Sequence, residues 1–222
     1  MTGFTNTMNT TDELLQAYTA LFIFLGGSVS MTPGESELPH ICDAGLLRNL
    51  PVESRNSMFG QASRLLKSPC PFKQQCHLTV ENNYGSLLSD KSTAEAYPAA
   101  SLWRNSGTTT GEHHRHLGMI YSRYGYSRAA EEGLEPDHLG IQLLFTNLLI
   151  EKYLTEDDYE IRDMIRKDLL DFINAEMLSW IPRWAERVSG KSVTKCYTGI
   201  SGLIVGGLED VRDILNRQKL GL

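Results

Sequence analysis

The chain has 222 residues, with 27 Asp and Glu against 21 Lys and Arg, a formal net charge of -6 and a pI near 5.5. That balance argues against nucleic acid, whose phosphates call for a basic surface, and 41% hydrophobic residues with 22% charged exclude chain-wide disorder and suffice for one sizeable core. The four cysteines, Cys42, Cys70, Cys76 and Cys196, are too few and too unevenly spaced for a disulfide framework, which points to a reducing compartment.

In chain order, the polar stretch from Thr2 to Thr11 holds no basic residue before the first apolar segment, and no Arg-Arg pair occurs anywhere. Neither a secretory nor a twin-arginine export signal is therefore expected, and the expected location is the cytoplasm. Thr10 with Glu13 has the form of a capping box, and Leu14, Leu15, Tyr18, Leu21, Phe22 and Leu25 recur at helical spacing. This predicts a helix from Asp12 to Leu25, ended by Gly26-Gly27. Loop material follows at Thr32 to Ser36, then a short helix from Asp43 to Leu50 and another from Val52 to Leu66. Beyond Ser68-Pro69-Cys70-Pro71 a helix runs through Leu78, Val80, Tyr84, Leu87 and Leu88. The segment from Ala94 to Asn105, interrupted by Pro98, reads as a loop laid over apolar surface and carries Tyr97, Leu102 and Trp103. After a flexible turn at Gly107 to Gly111, Glu112 to Tyr124 predicts a helix stopped near Gly125.

The polar, acidic stretch from Tyr126 to Glu135 reads as a hinge between an N-terminal half (about 10–125) and a C-terminal half (about 135–218). It would permit either a monomer or a homodimer that exchanges C-terminal helices. Pro136 suits the first position of a helix and Asp137 its positive end. Leu139, Ile141, Leu143, Leu144, Phe145, Leu148, Leu149 and Ile150 then make the helix apolar nearly all round, so it belongs at the centre of the core. Gln142, Thr146 and Asn147 interrupt it too often for it to span a bilayer, and no stable membrane insertion is expected. Thr155 with Asp158 opens a further helix through Ile161, Ile165, Leu169, Phe172, Ile173, Met177 and Trp180, which Pro182 ends or kinks. A last helix runs from Tyr197 to Gln218 despite Gly199, Gly202, Gly206 and Gly207. With no strand-type alternation, the fold class is all-α, in one domain without internal repeats.

For chemistry, His113, His114 and His116 crowd one helix start, but only His113 and His116 share a face, and no Glu-x-x-His completes a ligand set. Cys70 and Cys76 lie too far apart for structural zinc. No Gly-x-Ser-x-Gly elbow, phosphate loop or dinucleotide fingerprint is present, which removes the common hydrolase, nucleotide-phosphate and dinucleotide readings, and no cofactor is expected. Asp137 and His138 are neighbours without a marked nucleophile. Beside Glu131, Glu132 and Glu135, and near Tyr121, Tyr124 and Tyr126, they suit a peptide with arginines and an apolar segment. Helix capping by Glu135 and Asp137 is an equal reading. A metal-dependent enzyme using His113, His116 and His138 is the alternative from another class.

The order of several segments adds to this. Pro136-Asp137-His138-Leu139-Gly140 entering an apolar helix, Tyr121 to Gly125, Phe172 to Trp184 (FINAEMLSWIPRW), Tyr84 to Leu88, Pro98 to Trp103 and Ala20-Leu21-Phe22 together resemble the TorD/DmsD/NarJ family of redox-enzyme maturation chaperones. The resemblance covers Leu14 to Gln218. It implies an all-helical, non-enzymatic, cytoplasmic protein that binds the twin-arginine signal peptide and apo catalytic subunit of a molybdopterin oxidoreductase until cofactor is loaded and export proceeds. Carried over residue by residue, it implies peptide-binding roles for Asp137 and His138 with Glu135 and Pro136, and a groove lined or supported by Tyr84, Leu87, Leu88, Pro98, Trp103 and Tyr121. Glu176 stands where many relatives have histidine, Ala99 where some have a bulky aromatic residue and Ile23 where some have tyrosine. The loop from Ser28 to His40 has no family feature.

Overall fold

The computed structural model describes residues 10–32, 50–68, 76–104, 107–127 and 133–218. Among them the regular structure is helical: α1 (Thr10–Ser30), α2 (Ser57–Lys67), α3 (Cys76–Leu87), α4 (Thr110–Arg123), α5 (Leu139–Thr155), α6 (Tyr159–Asp171), α7 (Ile181–Lys191) and α8 (Lys195–Gln218). A 3₁₀ turn at Ala100–Leu102 and a π-helical turn at Phe172–Met177 complete the set, with one isolated antiparallel bridge between Ala99 and His138. One apolar cluster runs from Leu15 to Leu215. The expected helix at Asp43 to Leu50 lies outside the described residues, as do Cys42 and Cys70, Glu131 and Glu132, and residues 128–132 of the expected hinge.

The apolar α5 sits at the centre as its composition requires, with Leu139, Ile141, Leu143, Phe145 and Ile150 fully buried. It begins at Leu139 and not at Pro136. The cap is His138, whose Nδ1 accepts the Gly140 amide hydrogen at 3.2 Å, so Pro136 and Asp137 belong to the turn ahead of the helix. α1 continues through Gly26-Gly27, against expectation, because Gly26 is a contact surface and not a stop. Gly26 rests in ordinary contact on Gly140 and Leu143, and a Cβ on Gly140 would lie 3.1 Å from Ser30 Cβ and 3.3 Å from the Gly26 carbonyl oxygen, so the bare flank of α5 lets α1 approach closely. By length and hydropathy α1 passes as a membrane span, yet half of that window is buried inside the protein, and Leu15, Tyr18, Phe22 and Leu25 are core residues.

The glycines of α8 work the same way. A Cβ on Gly199, Gly202 or Gly206 would meet Leu66 at 2.4 Å, Ala62 at 2.8 Å or the Phe59 amide nitrogen at 2.6 Å, all on α2, and one on Gly207 would meet Phe22 of α1 at 3.0 Å. α8 is thus wedged between the two earliest described helices. Tyr18 Oη donates to Asp210 at 2.6 Å on the same side.

Helix ends shift by a turn where capping chemistry decides. Asp158, not Thr155, caps α6 through the amides of Glu160 and Ile161. Thr109 and Glu112 form a capping box that starts α4 in what reads from sequence as a flexible turn. Gly125 follows the end of α4 at φ +70°, a left-handed conformation that favours glycine. The expected long stripe from Ile161 to Trp180 is split by the π turn, where the Leu178 amide reaches back five residues to the Ile173 carbonyl at 2.8 Å. The extra residue keeps Phe172, Ile173, Met177 and Trp180 all buried. Pro182 then lies in the first turn of α7, where its missing amide hydrogen is harmless.

Candidate functional site

The segment from Glu95 to Arg104 crosses the molecule as a strap, and the turn from Glu135 to His138 lies under it. The Leu139 amide donates to the Pro98 carbonyl at 2.8 Å and the Ala100 amide to the Asp137 carbonyl at 3.0 Å, which makes the bridge at Ala99 and His138. The Asp137 carboxylate adds two bonds, from the Ser101 amide at 2.7 Å and from His114 Nε2 at 2.8 Å. Tyr121 Oη donates to the Pro136 carbonyl at 2.7 Å, and Lys91 Nζ reaches Glu135 at 2.5 Å. Trp103 is tied to the same strap through its Nε1, which donates to the Tyr97 carbonyl at 2.8 Å.

Asp137 is 0% exposed and His138 2%. The pair is enclosed by internal contacts, and the adjoining Tyr97 ring stands edge-on to the imidazole with centroids 5.5 Å apart. Burial by itself pushes the Asp137 carboxyl up, but the Ser101 amide and the His114 imidazole outweigh it and hold the carboxyl below its usual range. His138 has no such compensation. Burial pushes it down to about 4 against the partial opposition of Asp137, so the imidazole is neutral at pH 7.

Of the other sequence candidates, Leu87, Leu88, Pro98 and Tyr121 are buried around the strap and turn, while Glu135, Pro136 and Trp103 stay partly exposed. Tyr84 packs its ring on Tyr197 of α8 at 6.2 Å. Capping by Glu135 and Asp137 is not what these side chains do: Glu135 pairs with Lys91, Asp137 fastens the strap, and His138 is the cap.

A second polar cluster was not legible as such. Glu176, in the π turn and buried, receives His113 Nε2 at 2.8 Å and the Arg104 guanidinium, with His116 Nε2 at 3.4 Å from its other oxygen. Burial raises this carboxyl, but the His113 hydrogen bond and the Arg104 charge more than offset it and hold it below the usual range. The signal was the shared face of His113 and His116, whose partner is a carboxylate and not a metal. The strap is anchored here too, since Arg104 is its last residue. His138 does not join His113 and His116. Among the described residues, the three such groups whose ligand atoms lie within 4.8 Å of one another are His114, Glu135 and Asp137. There His114 already donates to Asp137 and Lys91 occupies Glu135, so the donor set is satisfied by a proton and an ammonium group.

The described residues thus form an all-helical domain whose polar centre fastens a strap over a helix entrance. The chain matches the nitrate reductase delta subunit family over residues 53–186, and it belongs to that family, the one that includes the TorD-type chaperones. It is similar to the chaperone protein TorD of Photobacterium profundum, 26% identical over 186 residues, which is 83% of this chain and 76% of that protein. It also resembles the TorD chaperones of Aliivibrio fischeri, 30% identical over 59% of this chain and 60% of that protein, and of Aliivibrio salmonicida, 27% identical over 61% and 62%. The family consists of chaperones and not of enzymes, which sets aside the metal-dependent enzyme built on His113, His116 and His138.

Proposed function

We propose that this protein is a cytoplasmic, system-specific chaperone that binds the twin-arginine signal peptide and the apo catalytic subunit of a molybdopterin oxidoreductase, assisting cofactor insertion and proofreading export. The observation that carries this reading is the similarity to a TorD chaperone over 83% of the chain. The acidic surface supports it, because a net charge of -6 speeds encounter with an arginine-bearing leader at low salt.

The enclosed pair gives the reading a specific form. Asp137 and His138 act as positioning residues: one fastens the strap and the other starts α5, so that Glu135, Pro136 and Trp103 are held at the surface for the peptide. Tyr84, Leu87, Leu88, Pro98 and Tyr121 support that arrangement from below. Calorimetric titration of a synthetic twin-arginine leader into the purified chain tests it. Saturable binding is expected, weakened by Trp103→Ala and by Glu135→Gln, the latter with little change in thermal stability because its pair with Lys91 is solvent-exposed. A titration without heat, together with pull-downs that recover no oxidoreductase subunit, would overturn the proposal.

A further inference from the structure

One imidazole of α4, His114, converges with two carboxylates of the turn beneath the strap, Glu135 and Asp137. A ligand atom of each lies within 4.8 Å of the other two, and His114 Nε2 is 2.8 Å from Asp137 Oδ1. The turn brings this about, since the His138 amide closes it by donating to the Glu135 carbonyl at 2.9 Å, which leaves residues 135 and 137 on the side of α4. The other Asp137 oxygen is held by the Ser101 amide at 2.7 Å. That bond orients the carboxylate from behind, as the outer shell of a metal ligand does.

A hydrogen on His114 and the Lys91 ammonium hold these donors in the structure, and both are exchangeable. The Lys91 and Glu135 side chains are each 37% exposed, so their pair is open to water and weak. His114 is 22% exposed, which makes the cluster reachable from solvent, while the fully buried Asp137 forms its floor. Lys91 does not cancel the negative potential here. Burial first, and then the carboxylates of Glu135, Asp137 and Asp90, push the Tyr97 hydroxyl up.

We infer that His114, Glu135 and Asp137 form a binding site for a divalent transition metal, of which zinc is the best match. One imidazole with two carboxylates suits zinc, whereas magnesium and calcium prefer all-oxygen donor sets. Zinc holds such atoms at about 2.0–2.2 Å, so a small rotation of the His114 and Glu135 side chains about a fixed Asp137 completes three ligands, and water takes the fourth position. Binding replaces the hydrogen on His114 Nε2, the ring keeping one on Nδ1, and releases the Lys91 ammonium to water. The ion ties α4 to the turn and, through the Ser101 bond on Asp137, to the strap. This inference does not depend on the leader-binding reading.

Calorimetric titration of zinc chloride into the full chain, purified without a histidine tag and freed of metal by chelator dialysis, tests the inference. Saturable binding that raises the melting temperature is expected, because a ligand of the folded state alone stabilises it. His114→Ala and Glu135→Ala are each expected to weaken zinc roughly tenfold or more. Lys91→Ala removes the competing ammonium and is expected to tighten zinc several-fold, a gain that a merely structural role for these residues does not predict. Should His114→Ala fail to fold, Glu135→Ala and Lys91→Ala decide, since both lie at the exposed pair. A wild-type chain without saturable heat, or wild-type zinc affinity in the folded ligand variants, as thiols or other histidines would give, overturns the inference and leaves the chaperone reading standing.

Discussion

At the scale of single residues, two buried groups set the pH and charge response. His138 has an ordinary value of 6.5 and is pushed to about 4 in the folded protein, so between those values the unfolded chain binds the extra proton. Its contribution is fully present above about pH 6.5 and is lost as pH falls toward 4, on a scale of about 3 kcal/mol. Thermal melts at pH 7, 5.5 and 4.5 should show the wild type losing stability more steeply than His138→Asn across this window. Parallel curves would remove the assignment. Glu176 is held below its usual range and so loses its contribution only in acid, and at pH 7 its charge is what substitution removes. Replacing Glu176 by Gln leaves Arg104 and His113 facing a neutral amide, and Glu176→His places a further basic group beside them. Denaturant unfolding is expected to register a loss of about 3 kcal/mol for Gln, the scale of breaking a buried ion pair, and a larger loss for His.

At the scale of elements, helical glycine has opposite effects in different places. Gly118 of α4 has open space where a Cβ would go, whereas Gly206 of α8 has the Phe59 backbone. Gly118→Ala should raise stability by about 0.5–1 kcal/mol through helix propensity. Gly206→Ala should lower it by more than about 2 kcal/mol, as expected for overpacking against backbone. The melting temperatures of the two variants give the comparison directly. The same contrast explains what could be read from the residues in order. Periodic apolar spacing located α1, α5, α6 and α8, because burial of a stripe is written into sequence. Gly26-Gly27 misled, because an isolated sequence does not distinguish a glycine that ends a helix from one that another backbone touches. The start of α5 was misplaced for a related reason: Pro136 and Asp137 have the local signature of a helix start, but the bonds to Pro98, Ala100 and Ser101 come from a strap some 36 positions earlier. Asp137 and His138 were visible as a pair, and their burial was not, since nothing local announces that a strap will cover them. The π turn left no trace beyond an uninterrupted apolar stripe.

At the scale of the whole molecule, the strap joins both polar clusters, with Ser101 on Asp137 and Arg104 on Glu176. Asp137→Ala should therefore loosen residues 97–104 as a unit, seen as faster amide exchange at Ala100, Ser101 and Leu139 while the amides of α8 keep their protection. Protection unchanged at those three amides would mean that the bridge to Pro98 suffices alone. The wedge of α8 between α1 and α2 has a different consequence, for the order in which the protein is made. Phe22 and Tyr18 leave the ribosome long before the surfaces they rest on, Gly207 and Asp210, the latter 192 residues after Tyr18. Until then the first helix presents its oily side to water, with contacts of long sequence separation still to form. A chaperone is, by this layout, itself in need of shelter during its own synthesis.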